Sequence, residues 1–293
     1  MIHRRQLFGW AAAAGLAGSA PAAFSAASGR RVVASFSLLA DMARSLVPPG
    51  VEVAELVGPD ADAHVYEPSP ADARKLAQAD LVLVMGLGFE GWIDRMVAVS
   101  GYRGPLVVAS QGLRPRQIGM TIDPHAWQDL SLARRYVSNL HAAFVAQWPD
   151  QRPLLDARRQ AYVAQIETLD AEVRRWLGAV PRARRRVLTS HDAFGYFGAA
   201  YGVDFLAPQG WATHSEPSAA AVARLIRQIK QDRVHAVFIE NISDPRLIAQ
   251  ICNEADVRIG GTLYSDALSR PDGPAPTYLK LFEHNARSLA SAL

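Results

Sequence analysis

Residues 153–177 read PLLDARRQAYVAQIETLDAEVRRWL, a stretch with no glycine and no internal proline. Its apolar residues recur in steps of seven, four, three, four and three, which places them on one face of a helix. They are Leu155, Tyr162, Ile166, Leu169, Val173 and Trp176. At 1.5 Å per residue the helix would span about 37 Å, roughly the diameter of a domain. We therefore expect one long helix over 151–177, ended by Gly178 and Pro181, that joins two lobes.

Short apolar runs alternate with helical patterns on both sides of this helix. The predicted strands are 31–35, 51–57, 80–86, 105–109, 186–190, 234–240 and 257–262. The predicted helices are 38–46, 129–148, 192–201, 218–231, 245–255, 276–290 and one that begins at Ser69-Pro70. This alternation predicts an α/β fold of two βα lobes, 28–150 and 178–293, with mostly parallel sheets and one long spanning helix between them.

Residues 1–27 have the pattern of an export signal. Arg4 and Arg5 precede an Ala-rich apolar run that is too short for a membrane span, and small residues before Ala27 suit a signal peptidase. The arginine pair resembles a twin-arginine signal, with a general secretory signal as the alternative; Ala22 is the alternative cleavage position. Removing the two arginines from the 31 basic residues leaves 29 against 28 acidic ones. A nearly neutral mature chain favours neither a nucleic acid nor a membrane surface as partner.

Cys252 is the single cysteine of the chain. One thiol excludes an intrachain disulfide framework, a thiolate metal cluster and a CxxC redox pair, and a small buried hydrophobe is its simplest role. Because no cysteine lies near the expected cleavage region, we expect no N-terminal lipid anchor. The mature protein should be a monomer free in the periplasm.

Four side chains stand out as candidate metal ligands. His64, His191 and Asp266 each follow a predicted strand, and ligands bind at the carboxyl ends of strands in open α/β sheets. His125 precedes a predicted helix. Two of the four come from each lobe, which would place a site in the cleft between the lobes. Three imidazoles and one carboxylate suit zinc, and the carboxylate extends the choice toward manganese or iron. The alternative is that each histidine caps a helix or bonds a buried carbonyl.

Five short motifs lie around these residues and extend across the mature chain. They are HVYEPSP at 64–70, DPHAW at 123–127, TSHDAFGYF at 189–197, EPS at 216–218 and GTLYSD at 261–266. In these motifs and in their order, the chain resembles the zinc/manganese solute-binding proteins of bacterial ABC transporters, the cluster A-I group. The resemblance implies a fold of two α/β lobes linked by one long helix.

The resemblance also implies a function and a set of ligands. It places the metal ligands at His64, His125, His191 and Asp266, which would bind Zn²⁺ or, alternatively, Mn²⁺. The protein would capture the ion in the periplasm and deliver it to an ABC transporter permease, without catalytic residues. Manganese-selective members of the family often carry glutamate at the third position, so His191 favours zinc.

One family feature is missing from the sequence. Many zinc-binding members hold a His-rich loop between the first two ligands, yet no other histidine lies between His64 and His125. The first collection of zinc would then need another surface or a partner such as a periplasmic metallochaperone.

Two rival functions use the same residues. A secreted zinc hydrolase would use the three histidines and a water, with Asp266 as base, but no HExxH or GxSxG signature is present. The other rival is a metallochaperone or adhesin with the same fold. The expected lack of a lipid anchor argues against an adhesin.

Residues around the ligands have weaker assignments. Asp123, Asp192 and Glu240 are candidates to accept from the second nitrogen of a ligand histidine, or else are helix caps or surface acids. His214 is expected to be an exposed loop residue, with transient metal transfer as the alternative. Trp127 and Tyr66 are expected in the cleft wall or the core.

Overall fold

The computed structural model describes residues 30–213, 218–232 and 234–293. The strands are β1 (Arg31–Phe36), β2 (Glu52–Val57), β3 (Leu81–Val84), β4 (Leu106–Val108), β5 (Gln117–Ile118), β6 (Thr121–Ile122), β7 (Arg186–Leu188), β8 (Asp204–Leu206), β9 (Ala236–Glu240) and β10 (Ile259–Leu263). The helices are α1 (Ser37–Leu46), α2 (Pro70–Ala77), α3 (Ile93–Ser100), α4 (Leu130–Gln147), α5 (Arg152–Gly178), α6 (Gly195–Tyr201), α7 (Ala219–Asp232), α8 (Pro245–Ala255) and α9 (Tyr278–Ala292). None of the helices in these ranges has the length and apolar character needed to cross a bilayer. The expected export signal and His214 lie outside the described residues.

Each lobe is built on one parallel sheet. The strand order is β2-β1-β3-β4 in the first lobe and β10-β9-β7-β8 in the second, and every pair within the two sheets is parallel. Numbered from its own first strand, each sheet therefore has the order 2-1-3-4. A small antiparallel hairpin of β5 and β6 stands apart from both sheets. The two-lobed α/β fold with mostly parallel sheets is confirmed.

Helix α5 connects the lobes and packs against both. It contacts α1 and α4 of the first lobe and α6 and α9 of the second. At 1.5 Å per residue its 27 residues span about 40 Å. Its C-terminal end is held by Arg185, which donates to the carbonyl oxygens of Gly178 at 3.1 Å and Val180 at 2.8 Å. A cation at this end also complements the helix dipole.

The buried face of α5 differs from the predicted one at a single position. Leu177 is fully buried there, whereas Trp176 is only partly buried. The indole of Trp176 instead faces Arg287, whose guanidinium carbon lies 4.2 Å from the ring centroid. A cation over an indole is a stable arrangement at a surface, so the large ring remains at the edge while the smaller leucine enters the core.

The principal hydrophobic core continues through α5 from one lobe into the other. Leu39 of α1, Tyr162 of α5 and Phe282 of α9 are all buried members of the same cluster. A second cluster lies within the second lobe, where Val237 of β9 packs with Ile251 of α8. Apolar burial contributes about 25 cal/mol per Å², so pulling the lobes apart would expose part of the main core at a large cost in free energy.

The sequence patterns did not predict helix α3 or strands β5, β6 and β8. Helix α3 and strand β8 are short, and β8 is an edge strand of three residues. A strand of that length offers too few residues for a periodic pattern to be recognised. Helix α6 begins at Gly195 rather than at Asp192, because residues 189–194 form a buried loop instead of a helical turn.

Asp41 joins the helices of the two lobes. Its Oδ2 atom accepts a hydrogen bond of 2.8 Å from the backbone N–H of Tyr278, the first residue of α9. Burial raises the pKa of Asp41 from an ordinary value of 3.8 to about 6, although the Tyr278 N–H and Arg44 act in the opposite direction. The folded state therefore binds more protons than the unfolded state between these two pH values, so its stability falls as the pH rises through this range.

We expect Asp41→Asn to stabilise the fold at pH 7.5 by about 2 kcal/mol, because the amide keeps an oxygen acceptor without a buried charge. Urea denaturation of both proteins at pH 4 and pH 7.5 measures the effect. The variant's advantage should be largest at pH 7.5 and should shrink toward pH 4. Asp94→Asn, which changes an exposed carboxylate on α3, is the control. An advantage that does not change with pH would contradict the assignment.

Candidate metal centre

The four candidate ligands meet in one buried cluster between the lobes. One ligand atom from each of His64, His125, His191 and Asp266 lies within 4.8 Å of the other three. His64 is 4% exposed and the other three are 0% exposed. The Oδ2 atom of Asp266 lies 3.2 Å from Nε2 of His64 and 3.1 Å from Nε2 of His191. Its Oδ1 atom lies 3.7 Å from Nε2 of His125.

The parallel sheets bring three of these side chains to facing strand ends. His64 lies in the loop after β2, His191 lies three residues beyond β7, and Asp266 lies three residues beyond β10. His125 reaches the same place from a different element, the entry to a short 3₁₀ turn ahead of α4. Carboxyl ends of parallel strands are the usual ligand edge of such sheets, and here the edges of two sheets face each other.

Two carboxylates orient two of the imidazoles. Asp123 Oδ1 lies 2.9 Å from Nδ1 of His125 and accepts the backbone N–H of the same residue at 3.0 Å. Glu240 Oε2 lies 2.7 Å from Nδ1 of His191, and its Oε1 accepts the His191 backbone N–H at 2.8 Å. With Nδ1 facing a carboxylate oxygen, each ring turns Nε2 toward the centre of the cluster, as ligand histidines in metal sites commonly do.

Asp192, the third acidic candidate, has a different environment. Its carboxyl group makes no hydrogen bond to the three imidazoles within the described ranges, and its backbone N–H donates to the Gly210 carbonyl at 3.1 Å. Burial raises the pKa of Asp192. Asp123 and Glu240 therefore lie where they orient a histidine of the cluster, and Asp192 does not.

The buried charges of the cluster control one another. Burial favours the neutral form of Asp266, but His125 and His191 hold its pKa well below its ordinary value. Burial also opposes protonation of His191, yet Glu240 and Asp266 raise its pKa well above the ordinary value. Asp266 and Asp123 likewise raise the pKa of His125. Burial lowers the pKa of His64. A positive charge beside Asp266 therefore stabilises the cluster.

A divalent cation would supply this positive charge. Within the described residues, neither oxygen of Asp266 has a well-aligned hydrogen-bond donor, although both are buried. A buried carboxylate without such donors is costly unless a cation faces it. Three imidazole nitrogens and a carboxylate oxygen are the donor set that zinc accepts in protein sites.

Aromatic rings surround the cluster. The ring centroid of Phe89 lies 4.8 Å from that of His64, and that of Trp127 lies 5.2 Å from that of His125. Trp211 lies 5.9 Å from His64 on the side of the second lobe. Of these three, only Trp127 was expected from the sequence. Tyr66 packs against the main hydrophobic core, which is one of its two expected positions, and its hydroxyl donates to Asp72 at 2.8 Å.

The loop that carries Asp266 is tied to the other lobe. The carbonyl oxygen of Ser265 accepts from Nε1 of Trp127 at 3.0 Å and from Nε2 of Gln128 at 2.8 Å. Trp127 and Gln128 lie two and three residues after His125. The His125 and Asp266 positions, which come from different lobes, are therefore fixed to each other by two buried hydrogen bonds.

This fold and site define a substrate-binding protein of a metal ABC transporter. Two parallel α/β lobes are joined by a long helix, and a buried cluster of three histidines and one carboxylate lies between the lobes. Sequence comparison carries the assignment further. The chain belongs to the family described as ZnuA, the periplasmic component A of a zinc-uptake complex, whose family model matches residues 32–292.

Characterised relatives cover nearly the whole chain. The zinc-binding protein TroA of Treponema pallidum is 34% identical over 274 residues, which are 89% of this chain and 88% of TroA. The manganese-binding lipoprotein MntA of Bacillus subtilis is 30% identical over 273 residues, which are 90% of this chain and 89% of MntA.

Solved structures agree with the fold. The periplasmic zinc-binding protein TroA from Treponema pallidum matches with a TM-score of 0.87 at 30% identity, over 90% of this chain and 99% of TroA. The Mn-bound periplasmic metal-binding protein from Candidatus Liberibacter asiaticus matches with a TM-score of 0.81 at 26% identity, over 89% of this chain and 98% of that chain. Relatives of this kind are binding proteins rather than enzymes, which confirms the expectation of no enzyme activity and leaves the hydrolase alternative without support.

We expect Glu240→Gln to weaken metal binding by about 10- to 100-fold, since partners of ligand histidines have effects of this size. The amide can accept one hydrogen bond from His191 but cannot hold both its Nδ1 and its backbone N–H as the carboxylate does. Competition titration against a chromophoric chelator measures the affinity. Glu254→Gln on the surface of α8 is the matched control. Equal affinities of the two variants would show that Glu240 has no such role.

Proposed function

We propose that this protein binds a zinc ion in the periplasm through His64, His125, His191 and Asp266 and delivers it to the membrane permease of an ABC transporter. The observation that carries the proposal is the convergence of four buried ligand atoms within 4.8 Å of one another. These residues come from separate loops of two lobes, and no packing requirement alone brings three imidazoles to a buried carboxylate.

The donor set supports zinc in preference to manganese. Imidazole suits zinc, whereas manganese favours oxygen ligands, and three of the four donors are imidazoles. Relatives are named for both metals, TroA for zinc and MntA for manganese, so the relatives alone do not select one. Mn²⁺ is accordingly proposed as a weaker ligand of the same site.

Four protein donors complete a tetrahedral zinc site. Catalytic zinc sites typically keep one position open for water. A closed set of ligands serves capture and transfer of the ion rather than activation of a water molecule, in keeping with a transport role.

The proposed organisation of the chain follows its path to the periplasm. Residues 1–27 act as a twin-arginine export signal, and the mature protein is a monomer of two lobes, 28–150 and 178–293, joined by the helix over 151–177. Because the sequence between His64 and His125 has no further histidine, zinc reaches the site from another surface or from a periplasmic metallochaperone.

The ligand assignment predicts the effect of two alanine variants. His64→Ala and His191→Ala should each lower zinc affinity by at least about 100-fold, which exceeds the effect expected for the groups around a metal site. Competition titration of purified, metal-stripped protein measures this, with His284→Ala as control because His284 lies on α9 and contacts the Thr262 carbonyl. Unchanged affinity in the two ligand variants would refute the assignment, and a wild-type protein that binds no zinc at micromolar concentration would refute the function.

The identity of the third ligand should set the metal preference. In a Glu240→Gln background, His191→Glu should shift the ratio of zinc to manganese affinity toward manganese, because a carboxylate oxygen replaces an imidazole nitrogen. The background change removes the carboxylate that would otherwise repel the new glutamate, since Glu240 lies 2.7 Å from the His191 ring. Parallel competition titrations with both metals give the ratio. The same ratio in the single and double variants would contradict the argument.

A further inference from the structure

Glu90 is a buried carboxyl group outside the metal cluster. It is 5% exposed and follows strand β3 by six residues in the first lobe. It makes no ion pair within the described part of the chain. A carboxyl group in the interior is costly unless hydrogen-bond donors face it, so its contacts indicate what it holds in place.

The donors come from the ends of two neighbouring strands. Glu90 Oε1 accepts from the Ser35 hydroxyl at 2.5 Å and from the Met85 N–H at 2.5 Å, and Oε2 accepts from the Gly86 N–H at 3.1 Å. Ser35 belongs to β1 and Met85 directly follows β3, and these two strands are adjacent. One side chain thus joins their carboxyl ends on the side of the sheet where the metal cluster lies.

The backbone between these donors and Glu90 is strained. Gly86, Leu87 and Gly88 have φ values of 86°, 58° and 80°, and a leucine in the left-handed region is uncommon and unfavourable. A side chain at Gly86 would lie 2.5 Å from Val108 Cγ1. Such a turn persists only when its surroundings hold it, and Glu90 accepts the N–H groups at its start.

This turn places the Phe89 ring beside the metal cluster. The Phe89 ring lies 4.8 Å from His64 and 6.2 Å from His125, measured between ring centroids, and 4.7 Å from Trp127. Among the described aromatic and imidazole rings, Phe89 has the shortest centroid distance to His64. Phe89 is bonded directly to Glu90 in the chain, so the position of the ring depends on the hydrogen bonds of the carboxyl group.

We propose that Glu90 is a positioning residue of the metal centre, which fixes the 85–89 turn and thereby holds Phe89 against His64 and His125. The proposal rests on the proposed zinc-binding function. Glu90 touches none of the four ligands and acts through the turn and the aromatic ring. The coordination geometry and the metal affinity therefore depend on a hydrogen-bond network at the carboxyl ends of β1 and β3 in the first lobe.

Glu90→Gln tests this role with almost no change in volume. Its amide nitrogen cannot accept from the Met85 or Gly86 N–H groups, so one of the two hydrogen bonds is replaced by a contact between donors. We expect zinc affinity to fall by about 10-fold, in the lower range for groups that orient ligands. The visible absorption spectrum of the Co²⁺-substituted protein should also change, because it reports the geometry of the ligands. Phe89→Leu should reproduce both effects with the carboxyl group intact.

Leu76→Val is the control for a loss of stability alone, since Leu76 is buried in the same lobe on α2. Thermal unfolding of the metal-free proteins ranks their stabilities. A Glu90→Gln protein with the Co²⁺ spectrum and zinc affinity of Leu76→Val would overturn the proposal. If Glu90→Gln does not fold, Ser35→Ala removes a single donor and should lower zinc affinity a few-fold with a smaller spectral change; wild-type values for both readouts would also overturn it. Absence of zinc binding by the wild-type protein would instead refute the proposed function.

Discussion

The Asp266 carboxylate lies fully buried against three imidazole rings, with Nε2 atoms at 3.1 to 3.7 Å from its oxygens. Removing a carboxylate from water costs several kcal/mol unless positive charge and hydrogen bonds replace the lost hydration. The second lobe carries this group, and the first lobe carries two of the imidazoles. His191, on the same lobe as Asp266, supplies one imidazole, and the other two are supplied only when the lobes are together, which couples the relative position of the lobes to the integrity of the site.

The rest of the fold keeps that relative position fixed. Helix α5 packs on both lobes, and the main hydrophobic core runs through it without a break. The Ser265 carbonyl accepts two buried hydrogen bonds from residues within three positions of His125. Each sheet has the strand order 2-1-3-4 and offers its carboxyl edge to the cleft. Two similar lobes thus supply one shared site, and the rigidity of the connection sets the distances within it.

Much of this arrangement could be predicted from sequence, and the exceptions have physical causes. The spacing of apolar residues located α5 and most strands, because a buried face requires apolar residues at regular intervals. The ends of the predicted strands indicated His64, His191 and Asp266. His125 precedes a 3₁₀ turn that has no periodic pattern, so its assignment rested on family resemblance. Phe89 approaches the cluster through a left-handed turn, and no local pattern of residues specifies where such a turn directs a side chain. Trp176 remains at the edge of the core against Arg287, a residue distant in sequence, so the helical pattern alone did not distinguish it from Leu177.

Charge balance relates metal binding to proton binding in this buried cluster. Arg116 lies 2.9 Å from Asp123 and offsets its charge, whereas Asp266 and Glu240 pair with no arginine or lysine among the described residues. A divalent ion with three neutral imidazoles balances these two charges, whereas a monovalent or trivalent ion would leave a net charge in the interior. The neighbouring carboxylates also raise the pKa values of His125 and His191, so they favour positive charge on these rings as well. Metal and protons therefore compete for the same imidazole nitrogens.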